Sequence, residues 1–357
     1  METLLGNITL LEAMKTTRER KKFRLLSMKL KIYSYITAFA AIVFLFSGLC
    51  SCAIDSSKQE ASGNSNSAQS DEKSATANSA PTSAGNSSIA NKNYSSNAQV
   101  SVFSAKDRLI VILQCAGFTQ LYRADFDIAV IDCDDSTLTK KEIADLKNQG
   151  KSIISYLSIG EAEIYRSYWQ SGWKTGNPQF IEEENPNWPG NFKVKFWDLD
   201  WQEIIFSMLE EIVLKGYDGV YLDVVDAYEY FEQKGFNLSE YYMIEFIKDI
   251  STRAKALNPK FLIIPQNAEG LAGNGAFLNS IDGFGRENLW FENNVRVKEE
   301  ESASALKDLL YAKENGKFVF SIDYSITDDL KNEFLSLCAS HGFIPFAGTI
   351  ELDSIEK

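Results

Sequence analysis

An α/β fold, specifically a (β/α)8 TIM barrel, is predicted by three features of this 357-residue sequence: eight short apolar runs, helical patterns between them, and a folded length of roughly 260 residues. The runs are LIVILQC (109–115), DIAVIDC (127–133), SIISYLSIG (152–160) and DGVYLD (218–223), then KFLIIPQN (260–267), DGFGREN (282–288), KFVFSIDY (317–324) and GFIPFAG (342–348). Between them TKKEIADLKNQG, DWQEIIFSMLEEIVLKG, SEYYMIEFIKDISTRAKAL, EEESASALKDLLYAKENG and TDDLKNEFLSLCASHG carry helical periodicity. Four of these five end in glycine, a frequent helix stop. Strands that alternate with helices pair in parallel, and eight such units close into a barrel. An open doubly wound sheet is the alternative, but no GxGxxG follows the first strand.

The barrel is preceded by two segments of different character. Residues 32–49, IYSYITAFAAIVFLFSGL, form an apolar run behind the basic stretch RKKFRLLSMKLK, which is the charge and hydrophobicity pattern of a signal peptide. LCSC follows. It resembles a bacterial lipoprotein cleavage box with Cys52 as the lipidated residue, and an uncleaved membrane anchor is the alternative. MKLKIYSYITAF makes Met28 the natural start of that signal within a leader spanning 1–52. Residues 53–99 are dominated by Ser, Ala and Asn, with Tyr94 the lone aromatic. Such a segment buries too little apolar surface to offset its ordering entropy, so it is expected to be a disordered linker. The folded domain is then 100–357, placed outside the cytoplasm and tied to a membrane.

Charge narrows the partners. The chain holds 36 Lys/Arg and 49 Asp/Glu; residues 1–52 account for eight and three of these, leaving 28 and 46, a net charge of −18. That balance argues against nucleic acid and permits a neutral or cationic substrate. Cys115, Cys133 and Cys338 are an odd number set in apolar runs without paired spacing, so they read as small buried hydrophobes. The single histidine, His341, sits in a helix-to-strand turn, which leaves a Ser-His-Asp triad, a Cys-His pair or a histidine zinc site with almost nothing to stand on.

In a barrel of this kind the active site lies at the C-terminal ends of the strands. Those ends carry Gln114, Asp132 with Asp134, Tyr156 with Glu161, Asp223, Gln266 with Asn267, Glu287, and Asp323 with Tyr324. Strand bodies are apolar and strand tips are polar, mostly acidic. Proton transfer in such a bowl rests on Asp and Glu, and two carboxyl groups in distinct environments can serve as nucleophile and general acid/base in glycoside hydrolysis. A hard metal ion is the rival use of an oxygen-rich bowl, but no run has calcium-loop spacing, and neither metal nor cofactor is expected. Five of the six tryptophans, Trp169, Trp173, Trp188, Trp197 and Trp201, fall within 169–201, mostly in a long polar segment after the third strand. Long loops are usually functional, and aromatic faces pack on pyranose C–H faces, so this cluster is expected to line a sugar site.

Five motifs in order, YLSIGEAEIYRSYW (156–169), FWDLD (196–200), GYDGVYLDVVDAYEY (216–230), IIPQNAE (263–269) and DGFGRENLWF (282–291), resemble glycoside hydrolase family 114, named for endo-α-1,4-polygalactosaminidase. The resemblance spans 105–350 and implies a TIM barrel with a retaining mechanism. By position it implies Asp223 as nucleophile and Glu287 as acid/base. The polar pocket it implies maps to Asp132, Tyr156, Glu161, Asp198, Asp226, Gln266 and Asn267; Trp197, Tyr221 and Asp323 join them as substrate-binding candidates. YLDVVDAYEY matches a bacterial and archaeal branch of the family, with Val224 where the named enzymes often have Asn. The expectation is a membrane-tethered extracytoplasmic glycosidase acting on α-linked, amino-sugar polysaccharide. A non-catalytic carbohydrate-binding lipoprotein is the alternative, and a metal-dependent surface protein stands behind both.

Overall fold

The computed structural model describes residues 102–114 and 116–355. The leader, Cys52, the 53–99 linker and Cys115 lie outside the described residues. Eight parallel strands form the frame: β1 (Leu109–Ile112), β2 (Ile128–Asp132), β3 (Ser152–Ser158), β7 (Gly219–Asp223), β8 (Leu262–Pro265), β9 (Gly283–Glu287), β12 (Phe318–Tyr324) and β13 (Ile344–Gly348). They occupy all eight runs read from the sequence.

Pairing follows chain order. One ladder runs β1-β2-β3-β7-β8 and a second runs β9-β12-β13, every pair parallel. A bridge between Gln266 and Gly285 joins the two ladders. At the other seam the amides of Leu113 and Gln114 both donate to the Leu352 carbonyl, at 2.8 and 3.1 Å, tying the end of β1 to the chain beyond β13. The frame is TIM-barrel-like.

Alternation along the strands sorts side chains into two cores. Leu109, Val111, Ile128, Val130, Ile154, Tyr221, Ile264, Phe320, Ile322 and Phe346 pack inside the strands. Residues of opposite parity, such as Ile153, Leu157, Val220, Ile263 and Phe284, pack outward against the helices. Room inside is made by missing side chains. A Cβ on inward-facing Gly285 would lie 2.1 Å from the Tyr221 hydroxyl oxygen, so this glycine is what lets the tyrosine ring cross beneath β9.

The outer layer contains α1 (Phe118–Arg123), α2 (Lys140–Lys147), α3 (Leu199–Lys215), α4 (Ala227–Gln233), α5 (Ser239–Leu257), α6 (Gly275–Ser280), α7 (Glu299–Glu314) and α8 (Asp328–His341). Thr139 and Glu142 make a reciprocal capping box that starts α2. The four glycines read as helix stops, Gly150, Gly216, Gly316 and Gly342, all have φ between 67° and 96°. There the left-handed backbone carries no Cβ penalty. His341 is the last residue of α8, and its ring stacks on Trp290 with centroids 5.3 Å apart.

The long polar segment after β3 is not a loop. It folds as a three-stranded antiparallel sheet, β4 (Glu161–Glu163), β5 (Ile181–Glu184) and β6 (Asn191–Val194), in the order β4-β6-β5. Its aromatics mostly pack on one another. Trp169 meets Trp173 and Phe192, Trp173 meets Phe180, and Phe180 meets Trp201, with centroids 5.3–5.5 Å apart. Trp201 is fully buried, and its indole N–H donates to the Ile159 carbonyl at 2.9 Å. These rings pack as a cluster, and the expectation that the tryptophans line a sugar site is corrected for fully buried Trp201, while Trp169 and Trp173 stay half-buried. A small sheet with three paired rows of backbone groups needs apolar mass beneath it, and the tryptophans supply that mass. The short hairpin β10 (Phe291–Glu292) and β11 (Val295–Arg296) completes the strand set.

Candidate active site

The inward-facing tips of β3, β7, β8, β9 and β12 converge on two carboxylates. Asp223 is the last residue of β7, in register with Ser158 on β3. Glu287 is the last residue of β9, in register with Ile322 on β12. Each is held by a tyrosine from a neighbouring strand: Tyr156 donates its hydroxyl to Asp223 Oδ2, and Tyr324 donates to Glu287 Oε1.

Further donors fix both groups. The Val224 amide donates to Asp223 Oδ1 at 2.8 Å. Val224 itself has φ 58°, a region where a β-branched residue is strained and Asn is favoured. Asn267, also left-handed at φ 53°, turns its side chain onto β9. Its Nδ2 donates to Glu287 Oε2 at 3.2 Å, while its Oδ1 accepts the Glu287 amide at 3.0 Å and Arg286 at 3.3 Å. Gln266 adds a side-chain hydrogen bond to Glu287.

The carboxyl groups feel each other. Burial raises the Asp223 pKa first and the Glu287 charge raises it further, to about 8. Glu287 is also raised, by burial, against the lowering effect of Tyr324, Asn267, Gln266 and Arg286. Both shifts run in the direction that favours a protonated carboxyl, and the Glu287 charge is part of the cause at Asp223. Tyr221 is near both: its buried hydroxyl has no hydrogen-bond partner among the described residues, and burial followed by the charges of Glu287 and Asp223 pushes its pKa up. Asp226 stands at the start of α4. Burial, then Glu229 and Glu287, raises it to about 6.

Behind Tyr156 sits a buried ionic core. Arg166 donates from one terminal nitrogen to both Asp132 oxygens at 2.8 Å, and its Nε donates to Glu163. Its guanidinium lies 5.6 Å from the Tyr156 ring centroid and 5.3 Å from that of Tyr165. Glu161 is buried as well: it accepts from Asn185 at 2.7 Å and from Asn191 at 3.3 Å, and pairs with Lys193 at 3.6 Å.

The sequence-predicted candidates divide accordingly. Asp223, Glu287, Tyr156, Tyr221, Gln266 and Asn267 come together, with Asp226 and Glu161 at their margin. Asp132 reaches the barrel mouth, but Arg166 and the amides of Asp134 and Asp135 occupy its oxygens. Three candidates stand in packing or capping roles. Half-buried Trp197 packs with Phe196, Phe231 and Phe236 at centroid distances of 4.5–5.0 Å. Asp198 caps α3, accepting from the Asp200 amide at 3.0 Å. Asp323 has outward parity on β12 and accepts from the Phe291 amide at 3.1 Å. Residue alternation explains the last: on β12 the inward tip is Tyr324, one residue further. Arg166 was not singled out, since only its spacing of three from Glu163 hints at pairing. Among the described residues no group of three or more His, Cys, Asp or Glu could hold a metal ion.

Two buried carboxyl groups with raised pKa values at the C-terminal end of a TIM-barrel-like frame fit the class of carboxylate-dependent hydrolases. The family model of glycoside-hydrolase family GH114 matches residues 90–357, and the chain belongs to that family, which makes it a glycoside hydrolase. A protein of Methanocaldococcus jannaschii, described only as uncharacterised, is 36% identical over 263 residues, covering 68% of this chain and 76% of its own. A Thermotoga maritima protein described the same way is 32% identical over 268 residues, covering 70% and 83%. Among solved structures, Aspergillus fumigatus Ega3 in complex with galactosamine is similar with a TM-score of 0.57 at 21% identity, covering 72% of this chain and 97% of that one. The glycoside hydrolase domain of Pseudomonas aeruginosa PelA gives a TM-score of 0.54 at 18% identity, covering 71% and 98%. These two likenesses bear on the fold.

Proposed function

We propose that this protein is a membrane-tethered, extracytoplasmic glycosidase that cleaves α-linked amino-sugar polysaccharide with retention of configuration, and that Asp223 and Glu287 carry the reaction. The observation that supports this most is the pair itself: two buried carboxyl groups, each fixed by a tyrosine, both raised by burial, with the Glu287 charge raising Asp223 further. Asp223 attacks the anomeric carbon as Glu287 protonates the departing glycosidic oxygen. Glu287, now ionised, takes a proton from water, and the water oxygen displaces Asp223 from the anomeric carbon. Tyr156 and the Val224 amide stabilise the ionised Asp223 that the first step needs. The donors on Glu287 favour its charged form and oppose the protonation its acid role needs, so on this reading seating the substrate has to move the proton from Asp223 to Glu287.

An amino-sugar substrate is supported by charge. Asp226 feels the charges of Glu229, Glu287 and Glu161, against the single cation Lys193, so the mouth around it carries a net negative charge that attracts an ammonium group. Tethering rests on the signal-like run and Cys52, with the 53–99 linker giving the enzyme reach. The test is hydrolysis of partly de-acetylated galactosaminoglycan, with product masses and the anomeric configuration of the first-formed product read by proton NMR. Retained α-configuration and loss of activity in both Asp223→Asn and Glu287→Gln support the proposal. Binding without turnover by the wild-type protein sinks it in favour of a carbohydrate-binding lipoprotein.

A further inference from the structure

Asp323 is buried on the outer side of β12 and does not reach the site. Its Oδ2 accepts from the Phe291 amide at 3.1 Å, the amides of Leu289 and Trp290 also lower its pKa against the effect of burial, and its Oδ1 has no hydrogen-bond partner among the described residues. Those three residues are the chain immediately beyond Glu287: Asn288 turns through φ 51°, its amide donating to the Ile322 carbonyl at 2.9 Å, and Leu289, Trp290 and Phe291 are then buried. The next residue on β12, Tyr324, faces inward and donates to the Glu287 carboxylate. Consecutive residues of one strand thus grip the same element from its two faces.

We propose that Asp323 is a positioning residue for Glu287: the end of β12 is a two-sided clamp, in which Tyr324 holds the carboxyl group from inside the barrel and Asp323 holds the amides that follow it from outside. A carboxylate is suited to the outer jaw because it accepts several N–H groups at once, and β9 has no ladder partner for those amides once it has left the strand. Asp323 is fully buried and lies near Cys338, itself buried and bonded to Ser321 and Trp290. The clamp matters because misplacing a reacting group by about 1 Å costs roughly 100-fold in rate.

This inference rests on Glu287 being the acid/base, and the experiment separates the two. Kinetics on the polymer are measured for the full chain and for Asp323→Asn, Glu287→Gln and the double variant, with thermal unfolding of each. Asp323→Asn keeps the shape and one oxygen for the Phe291 amide, but replaces the other acceptor by an amino group and removes the charge that the following amides face. It is expected to lower kcat roughly 10- to 100-fold with KM within about twofold, and to add no further loss to the residual rate of Glu287→Gln. A merely structural residue would lower the folded fraction and compound the Glu287→Gln defect, and that outcome overturns the proposal, as does an unchanged kcat. Should Asp323→Asn not fold, Asp323→Ser retains a single oxygen acceptor and is held to the same kcat-selective, non-additive loss. If Glu287→Gln keeps wild-type activity, the reading of Glu287 fails instead.

Discussion

Replacing Tyr156 with Phe removes one hydroxyl and keeps the ring that lies beside Arg166. The hydroxyl is one of two donors to Asp223, the other being the Val224 amide at 2.8 Å. A hydrogen bond to a charged group contributes roughly 1.5–3 kcal/mol, and each 1.36 kcal/mol is tenfold in rate. The step that needs ionised Asp223 is therefore expected to slow about 10- to 150-fold. The same loss raises the pKa of a carboxyl already at about 8, because burial and Glu287 now act with one opposing donor fewer. The doubly ionised pair becomes harder to reach, and so does the singly protonated working form from the fully protonated one. Both limbs of the pH–kcat profile consequently move to higher pH, and the deficit is larger at pH 6 than at pH 8. Reducing-end release from de-acetylated polymer across that range is the assay. An unchanged kcat with unmoved limbs would refute the role assigned to Tyr156.

Three further outcomes follow from the same geometry. Val224→Asn relieves a β-branched residue held at φ 58° and is expected to stabilise the fold by about 1 kcal/mol in urea unfolding, with activity retained because the amide donor stays. Asp223 has a folded pKa above its unfolded value of 3.8, so it costs stability as pH rises from about 4 towards about 8; Asp223→Asn is expected to remove this fall, leaving the variant about 1–3 kcal/mol more stable than wild type at pH 8, a figure discounted because Asp223 keeps one face towards the open bowl. Arg166→Met leaves Asp132 and Glu163 buried without their shared cation, and equilibrium unfolding is expected to show a loss of about 3–5 kcal/mol.

Much of this was legible in the chain because barrel strands announce themselves twice, as β-rich apolar runs and as runs spaced by helical patterns. All eight strands, and the four glycine stops, fell where those signals lay. The two carboxylates were legible for a related reason: Asp223 and Glu287 end strands where a turn residue is ordinary. Strand parity is finer than a tip. Asp323 and Tyr324 are adjacent, and only the register of β12 against β9 and β13 decides which of them faces the bowl. Trp201 misled because aromatic residues serve a sugar site and a small sheet's core equally well, and composition does not distinguish the two. Glu163 and Arg166 reach Asp132 only after β4 folds back, a tertiary event without local signature.

The account's central claim is that Asp223 forms the bond to sugar and Glu287 moves the proton. Peptide mass mapping of Glu287→Gln, quenched during turnover of an α-galactosaminyl donor with a good leaving group, tests it most directly. The account predicts a glycosyl ester on the peptide bearing Asp223, absent when Asp223 is also replaced by Asn. A glycosyl adduct elsewhere, or polymer hydrolysis undiminished in both Asp223→Asn and Glu287→Gln, would contradict it.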